Sequence, residues 1–189
     1  MGLQATEPVT VDEFLSLPSS EQWMELVDGE IVVNPRPQSD HQQVVAYLCH
    51  LFLERTRGRG RLIPEKEMIV RTGDGKQRVR CPDLMYVQET RTDIVTQRAV
   101  EGAADIVIEI LSEGTEEVDR INKRDEYRAS GVPEYWIVDL SDRAVLIHDF
   151  RKDTHTVYHE DDSFQSSVLR ELGLAAAFTV REIFAPLPG

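Results

Sequence analysis

Two segments, Arg80–Tyr86 and Asp105–Leu111, each place one carboxylate inside an apolar, strand-like run, where a strand normally tolerates none: Asp83 in the first and Glu109 in the second. Burying an unpaired carboxylate costs several kcal/mol or forces the group to neutralise. Two such residues on consecutive strands call for a compensating charge, and a bound divalent cation is the obvious candidate. The alternative is structural. Asp83 would then follow Pro82 at a strand start, and Glu109 would pair with a basic side chain.

Length and composition bound the answer. At 189 residues, with 41% hydrophobic and 29% charged residues, the chain reads as one domain with a real core and without wholesale disorder. The N-terminus lacks a basic start followed by an apolar run, and no apolar stretch approaches ~20 residues, so no signal peptide or membrane span is expected and the cytoplasm is the expected compartment. Cys49 and Cys81, two thiols without a partner motif, read as reduced, buried side chains. The net charge of −13 argues against nonspecific coating of nucleic acid. That charge is uneven: Arg55 to Arg80 holds nine Lys/Arg against three acids. The run is either a solvated helix end and turn or a local phosphate-binding edge.

Periodicity and turn residues lay out the elements. Thr10 and Glu13 form a capping box for a short helix. Asp28-Gly29 turns into a strand ended by Pro35 and Pro37. Ser39-Asp40 is expected to cap a helix over 41–55, with Val44, Val45, Leu48, Leu51 and Phe52 on its apolar face and Gly58 and Gly60 stopping it. Strands are expected over 61–71 and 79–87, joined by a turn at 72–76, and a buried strand over 105–111. A polar helix over 116–130, closed by Gly131, precedes a buried strand over 134–139. Two alternating strands, 144–149 and 154–159, read as an added hairpin, and a short helix near 180–184 ends the chain. The order is αβββαβ with further strands, one α/β domain.

Asp83 and Glu109 on neighbouring strands suit Mg²⁺ or Mn²⁺, hard cations that take carboxylate oxygens and keep several waters. On the following helix Asp119, Lys123 and Tyr127 share one face. Lys123 there either holds a phosphate or orients a water, or it forms a surface pair with Asp119 worth only ~0.3–0.5 kcal/mol. No HExxH, paired CxxC, P-loop or GxSxG is present, which removes support from zinc protease, NTPase and hydrolase-elbow readings.

Pro82-Asp83 followed by Glu109 resembles the core motif of the PD-(D/E)XK nuclease superfamily. More closely, the chain resembles the Uma-type family of restriction endonuclease-like proteins. The resemblance rests on Val27-Asp28-Gly29-Glu30-Ile31, the Pro-rich turn before His41, Pro82-Asp83, Ile108 to Ser112, Asp119…Lys123…Tyr127 and Gly131 to Asp139. The superfamily's lysine would stand two residues after the glutamate, where this chain has Leu111. The resemblance implies that Lys123 supplies the cation instead.

It further implies a restriction endonuclease-like fold over 1–189 with its core at about 26–140, a mixed central sheet flanked by helices, and an added C-terminal β-hairpin. The implied activity is magnesium-dependent hydrolysis of DNA by Asp83, Glu109 and Lys123. Asp83 and Glu109 are the expected metal ligands. Glu30, His41 and Tyr127 are possible additional members, and a homodimer is the expected assembly. The competing reading, motivated by Leu111, is a noncatalytic nuclease-fold module that binds nucleic acid or a protein partner.

Overall fold

The computed structural model describes residues 7–18, 23–111 and 118–187, apart from the side chains of residues 118 and 119. The Thr10–Glu13 capping box opens helix α1 (Val11–Leu15). Asp28 and Gly29 both take positive φ, 52° and 85°, and close a tight hairpin of strands β1 (Trp23–Val27) and β2 (Glu30–Asn34). Helix α2 (Ser39–Thr56) starts earlier than expected: Gln38 is its N-cap and makes no side-chain cap bond, while Asp40 lies in the first turn, where a carboxylate complements the helix dipole. The helix stops at Arg57, which itself turns left-handed at φ 52°, one residue before Gly58.

The largest departure from expectation lies between residues 61 and 87. Each of the two long strands expected there is broken in the middle. The result is four short strands: β3 (Arg61–Pro64), β4 (Met68–Arg71), β5 (Gln77–Arg80) and β6 (Leu84–Val87). After Pro64, Glu65 adopts φ 49°, which no strand continues through. In the second run Pro82 has no N–H to offer a ladder. The chain therefore leaves one sheet after β3, builds the β4–β5 hairpin in another, and returns as β6 to pair with β3.

Strand β7 (Ile106–Leu111) is buried along its whole length. Residues 112–117, which include Ser112 and the start of the expected helix, lie outside the described residues. The helix continues as a π-helical segment, Val118–Lys123, leading into α3 (Arg124–Ser130), and ends at Gly131 with φ 87°. Strands β8 (Glu134–Asp139), β9 (Ala144–Asp149) and β10 (Thr154–Tyr158) follow. Beyond them come β11 (Ser163–Gln165), α4 (Ser167–Glu171), β12 (Ala177–Thr179) and α5 (Val180–Ile183). Of this last group only α5 is expected from the sequence pattern.

Six strands form a mixed sheet in the order β10-β9-β8-β7-β6-β3, in which only β7 and β8 run parallel. Taken in chain order, α2, β3, β6, β7, α3 and β8 make the αβββαβ core of a mixed α/β fold. The β4–β5 hairpin is inserted into it, and β9–β10 is added at its edge. The inserted hairpin joins β1 and β2 in a second, four-stranded sheet, β2-β1-β5-β4.

Alternation along β7 divides the core. Ile106, Ile108 and Ile110 join Trp136 and Val138 beneath Val44, Leu48 and Phe52 of α2. Val107 and Leu111 join Tyr135 and Ile137 on the other side, with Tyr127 of α3 and with Met68 and Val70 of the four-stranded sheet. Glu109 has the parity of Val107 and Leu111, so strand geometry sends its carboxylate toward α3 and the second sheet. No helix among the described residues is long and apolar enough to cross a membrane.

Candidate active site

In the β6–β7 ladder Leu84 faces Ile108, and one further step of that register sets Asp83 across from Glu109. Opposed residues on antiparallel strands share a face, with Cβ atoms ~4.5–5.5 Å apart. Both side chains are buried, at 5% and 3% exposure. The backbone N–H of Ile110 donates to Asp83 Oδ2 at 2.6 Å, and His41 Nε2, from the first turn of α2, stands 3.1 Å from the same oxygen. His41 Nδ1 is also buried and has no hydrogen-bond partner among the described residues.

Glu109 is met from the opposite side by the helix. The Tyr127 hydroxyl donates to Glu109 Oε1 at 2.5 Å, and Lys123 Nζ lies 3.1 Å from that oxygen. Lys123 and Tyr127 stand four residues apart where the π-helical segment passes into α3, so both reach the same carboxylate. The side chain of Asp119, expected on this face, lies outside the described residues.

Lys123 Nζ also lies 3.7 Å from Glu25 Oε1 on β1. Glu25 is only 2% exposed. It accepts from Arg80 Nη1 at 2.9 Å and from the Cys81 backbone N–H at 3.1 Å. Arg80 in turn donates from Nε and Nη2 to the two oxygens of Glu126, each at 2.6 Å. Arg78 reaches both Glu126 and Asp28. A chain of buried charges thus ties the four-stranded sheet to the helix that carries Lys123 and Tyr127.

Three shifts follow from this packing. For Glu25 the largest influence is burial, which raises its pKa, but the charges of Lys123 and Arg80 and its hydrogen bonds outweigh it, and the net shift is downward. Burial, then the Glu109 charge, pushes the Tyr127 phenol well above its usual range, so the hydroxyl stays a neutral donor. Burial followed by the nearby carboxylates of Glu67 and Glu25 likewise raises the Cys81 thiol, which is inert at neutral pH.

The sequence matches the family model Uma2, described as "Putative restriction endonuclease", over residues 11–179. The chain belongs to the Uma2 family. Among solved structures, the crystal structure of "a putative nuclease belonging to DUF820" from Anabaena variabilis ATCC 29413 shares the fold, with a TM-score of 0.74. The two are 22% identical, and the match covers 96% of this chain and 100% of that one. Among curated proteins none matches.

In this Uma2 chain Leu111 is 4% exposed and packs into the core, so β7 places no cation two residues beyond Glu109. Lys123 from the helix stands beside the glutamate instead. The structure brings Asp83, Glu109, Lys123, Tyr127 and His41 together. Glu30 does not enter the ion-pair network among the described residues: it is exposed on the edge strand β2. The buried acid from the N-terminal hairpin is Glu25, five residues earlier, which sequence reasoning missed. The signal was present, since Glu25 sits in the apolar run Trp23–Val27 just as Asp83 and Glu109 sit in theirs. Arg80 and Glu126 carried no comparable signal. Within the basic run, Arg78 and Arg80 serve this network, whereas Arg57, Arg59, Arg61 and Arg71 are exposed. Among the described residues no group of three or more His, Cys, Asp or Glu side chains is gathered for a metal ion.

Proposed function

We propose that the chain is a nuclease dependent on a divalent cation and that it hydrolyses DNA phosphodiester bonds. The observation that carries this reading is the convergence of Lys123 and Tyr127 on Glu109, across the strand register from Asp83. Membership of Uma2 points the same way. Asp83 and Glu109 would hold magnesium or manganese. The donor set fits such an ion, because Mg²⁺ commonly binds through one or two carboxylates and fills its remaining positions with water and substrate phosphate. When bound, the ion supplies a water of lowered pKa and neutralises charge on the phosphodiester.

The protein's own groups do the rest. Lys123, held between Glu109 and Glu25, presents a preorganised positive charge to the phosphoryl oxygens or to the attacking water. Tyr127 orients the Glu109 carboxylate by donating to it. His41 and the Ile110 N–H do the same for Asp83. These two side chains are positioning residues. Pairing of two copies, one for each DNA strand, belongs to the same reading.

The test is nicking of supercoiled plasmid in Mg²⁺ and in EDTA. Asp83→Asn and Glu109→Gln should each slow nicking by at least about 10²-fold, the scale of removing one preorganised electrostatic group, and EDTA should abolish it. Variants that nick as fast as the parent would refute the assignment. Two observations favour a second reading, a noncatalytic module of nuclease fold: Leu111 is core, and Lys123 is already neutralised by two carboxylates. A parent protein that nicks neither DNA nor RNA in Mg²⁺ or Mn²⁺ would decide for it.

A further inference from the structure

On the flank of α3 away from Glu109, the helix overhangs β9 and β10 and leaves a groove of about 450 Å³. Its wall is basic. Arg120, Arg124 and Arg128 all line it, against two acids, Asp125 and Asp153, in a chain of net charge −13. Its floor carries His148 and His155, which face each other directly in the β9–β10 register with ring centroids 5.7 Å apart.

His148 is built into this floor. Its ring is stacked on Tyr135 and on Phe150, with centroids at 6.0 and 5.7 Å. The residue is 9% exposed, and its Nε2 is buried with no hydrogen-bond partner among the described residues. Such orphaned polar atoms are rare in folded proteins and each asks for a partner. Burial above all, then His155, Arg124 and Arg128, holds the His148 pKa down to about 4, so the ring is neutral at pH 7 and carries one N–H donor.

Arg120 is held by the largely buried Asp139, whereas the other two arginines are engaged only loosely. Arg124 pairs with its chain neighbour Asp125, and Arg128 with Asp153, through side chains that are 38% to 74% exposed. Exposed pairs of this kind hold weakly and can be exchanged for a multiply charged anion. A guanidinium fork matches the oxygens of a phosphoryl group, and a cation would meet three positive charges at this wall.

We propose that this groove is a phosphate-binding site, with Arg124 and Arg128 gripping one phosphoryl group over the His148–His155 floor. Two sources share that chemistry: free phosphate, and a backbone phosphate of a nucleic-acid strand that crosses α3 from the Glu109 side. The second source rests on the nuclease reading above. An α-helix is about 10 Å across, so such a strand would span it within two or three phosphates.

Two measurements test the proposal on the full-length protein. The first is binding of a short labelled DNA duplex in EDTA over a range of salt. Arg124→Ala/Arg128→Ala should flatten the slope of log K against log salt by about 1, since one phosphate contact on duplex DNA contributes about 0.9. A control with the same charge loss at exposed sites elsewhere, Lys76→Ala/Arg181→Ala, should keep the parent slope. The second measurement is titration with inorganic phosphate, followed by the imidazole resonances. His148 and His155 should shift, His50 and His159 should not, and the double variant should lose the response.

A response to phosphate alone assigns the groove to free phosphate. A change in DNA slope, with or without a phosphate response, assigns it to the strand. If neither the slope nor the His148 and His155 resonances respond, the proposal is overturned. Plasmid nicking is read separately. Efficient nicking beside a silent groove refutes the groove alone, and a responsive groove in a protein that never nicks refutes the nuclease reading alone.

Discussion

Replacing Glu25 by glutamine removes one charge from the centre of the buried network and leaves its shape nearly unchanged. Arg80 and Lys123, at 4% and 8% exposure, then face each other with less compensation. Removing one partner of a buried ion pair costs about 3–5 kcal/mol, because the remaining charge stays desolvated. Here the lower end applies. Glu126 still holds Arg80 through two 2.6 Å bonds, Glu109 still stands 3.1 Å from Lys123, and the glutamine carbonyl can still accept from the Cys81 N–H. We therefore expect Glu25→Gln to lose about 3 kcal/mol at pH 7, read as a lower urea midpoint at unchanged m. For a chain of this size the thermal midpoint should fall by roughly 6–12 °C.

The pH dependence separates charge from packing. Glu25 has a folded-state pKa below its ordinary 4.5. Its ionised form therefore contributes stability above pH 4.5, and that contribution is lost as pH falls through the lowered value. The gap between parent and Glu25→Gln should be fully open at pH 7 and should close in acid below pH 4.5. Equal urea midpoints at pH 7 would refute the reasoning. So would a gap that persists unchanged in acid, since the loss would then be one of shape.

Tyr127→Phe removes the donor to Glu109 Oε1 and should cost about 1.5–3 kcal/mol, the scale of a hydrogen bond to a charged acceptor, measured by urea unfolding. Because the Tyr127 phenol is held well above its ordinary pKa, the parent should show no loss of that bond up to pH 9. Gly60→Ala should destabilise by about 1–3 kcal/mol in a thermal melt. Gly60 has φ 86°, and an added Cβ would lie 2.6 Å from the Val87 carbonyl and 2.8 Å from the Tyr86 hydroxyl.

Much of the fold was legible because it is written in local rules. The Thr10–Glu13 box, the Asp28-Gly29 turn, the apolar period of α2, the wholly buried strand β7 and the strand β8, buried up to Asp139, each follow from neighbours within a few residues. The pair Asp83 and Glu109 was legible for a related reason: a lone carboxylate in an apolar run stands out against its own strand. Glu25 obeys the same rule, but the neighbouring Glu30 drew attention because it sits inside the turn motif.

What the sequence alone determined is the kind of elements, their order and the acids that need compensation, since these depend on backbone preference and the cost of desolvation. Tertiary structure decided which sheet each strand joins and which charges meet. The run 61–71 carries a strand pattern throughout, and only the pairing of β3 with β6 and of β4 with β5 shows that it serves two sheets. In the same way, Arg80 and Glu126 look like ordinary surface charges in one dimension. Packing the second sheet against α3 removes water from between them, and only there does charge complementarity select Glu25 over Glu30.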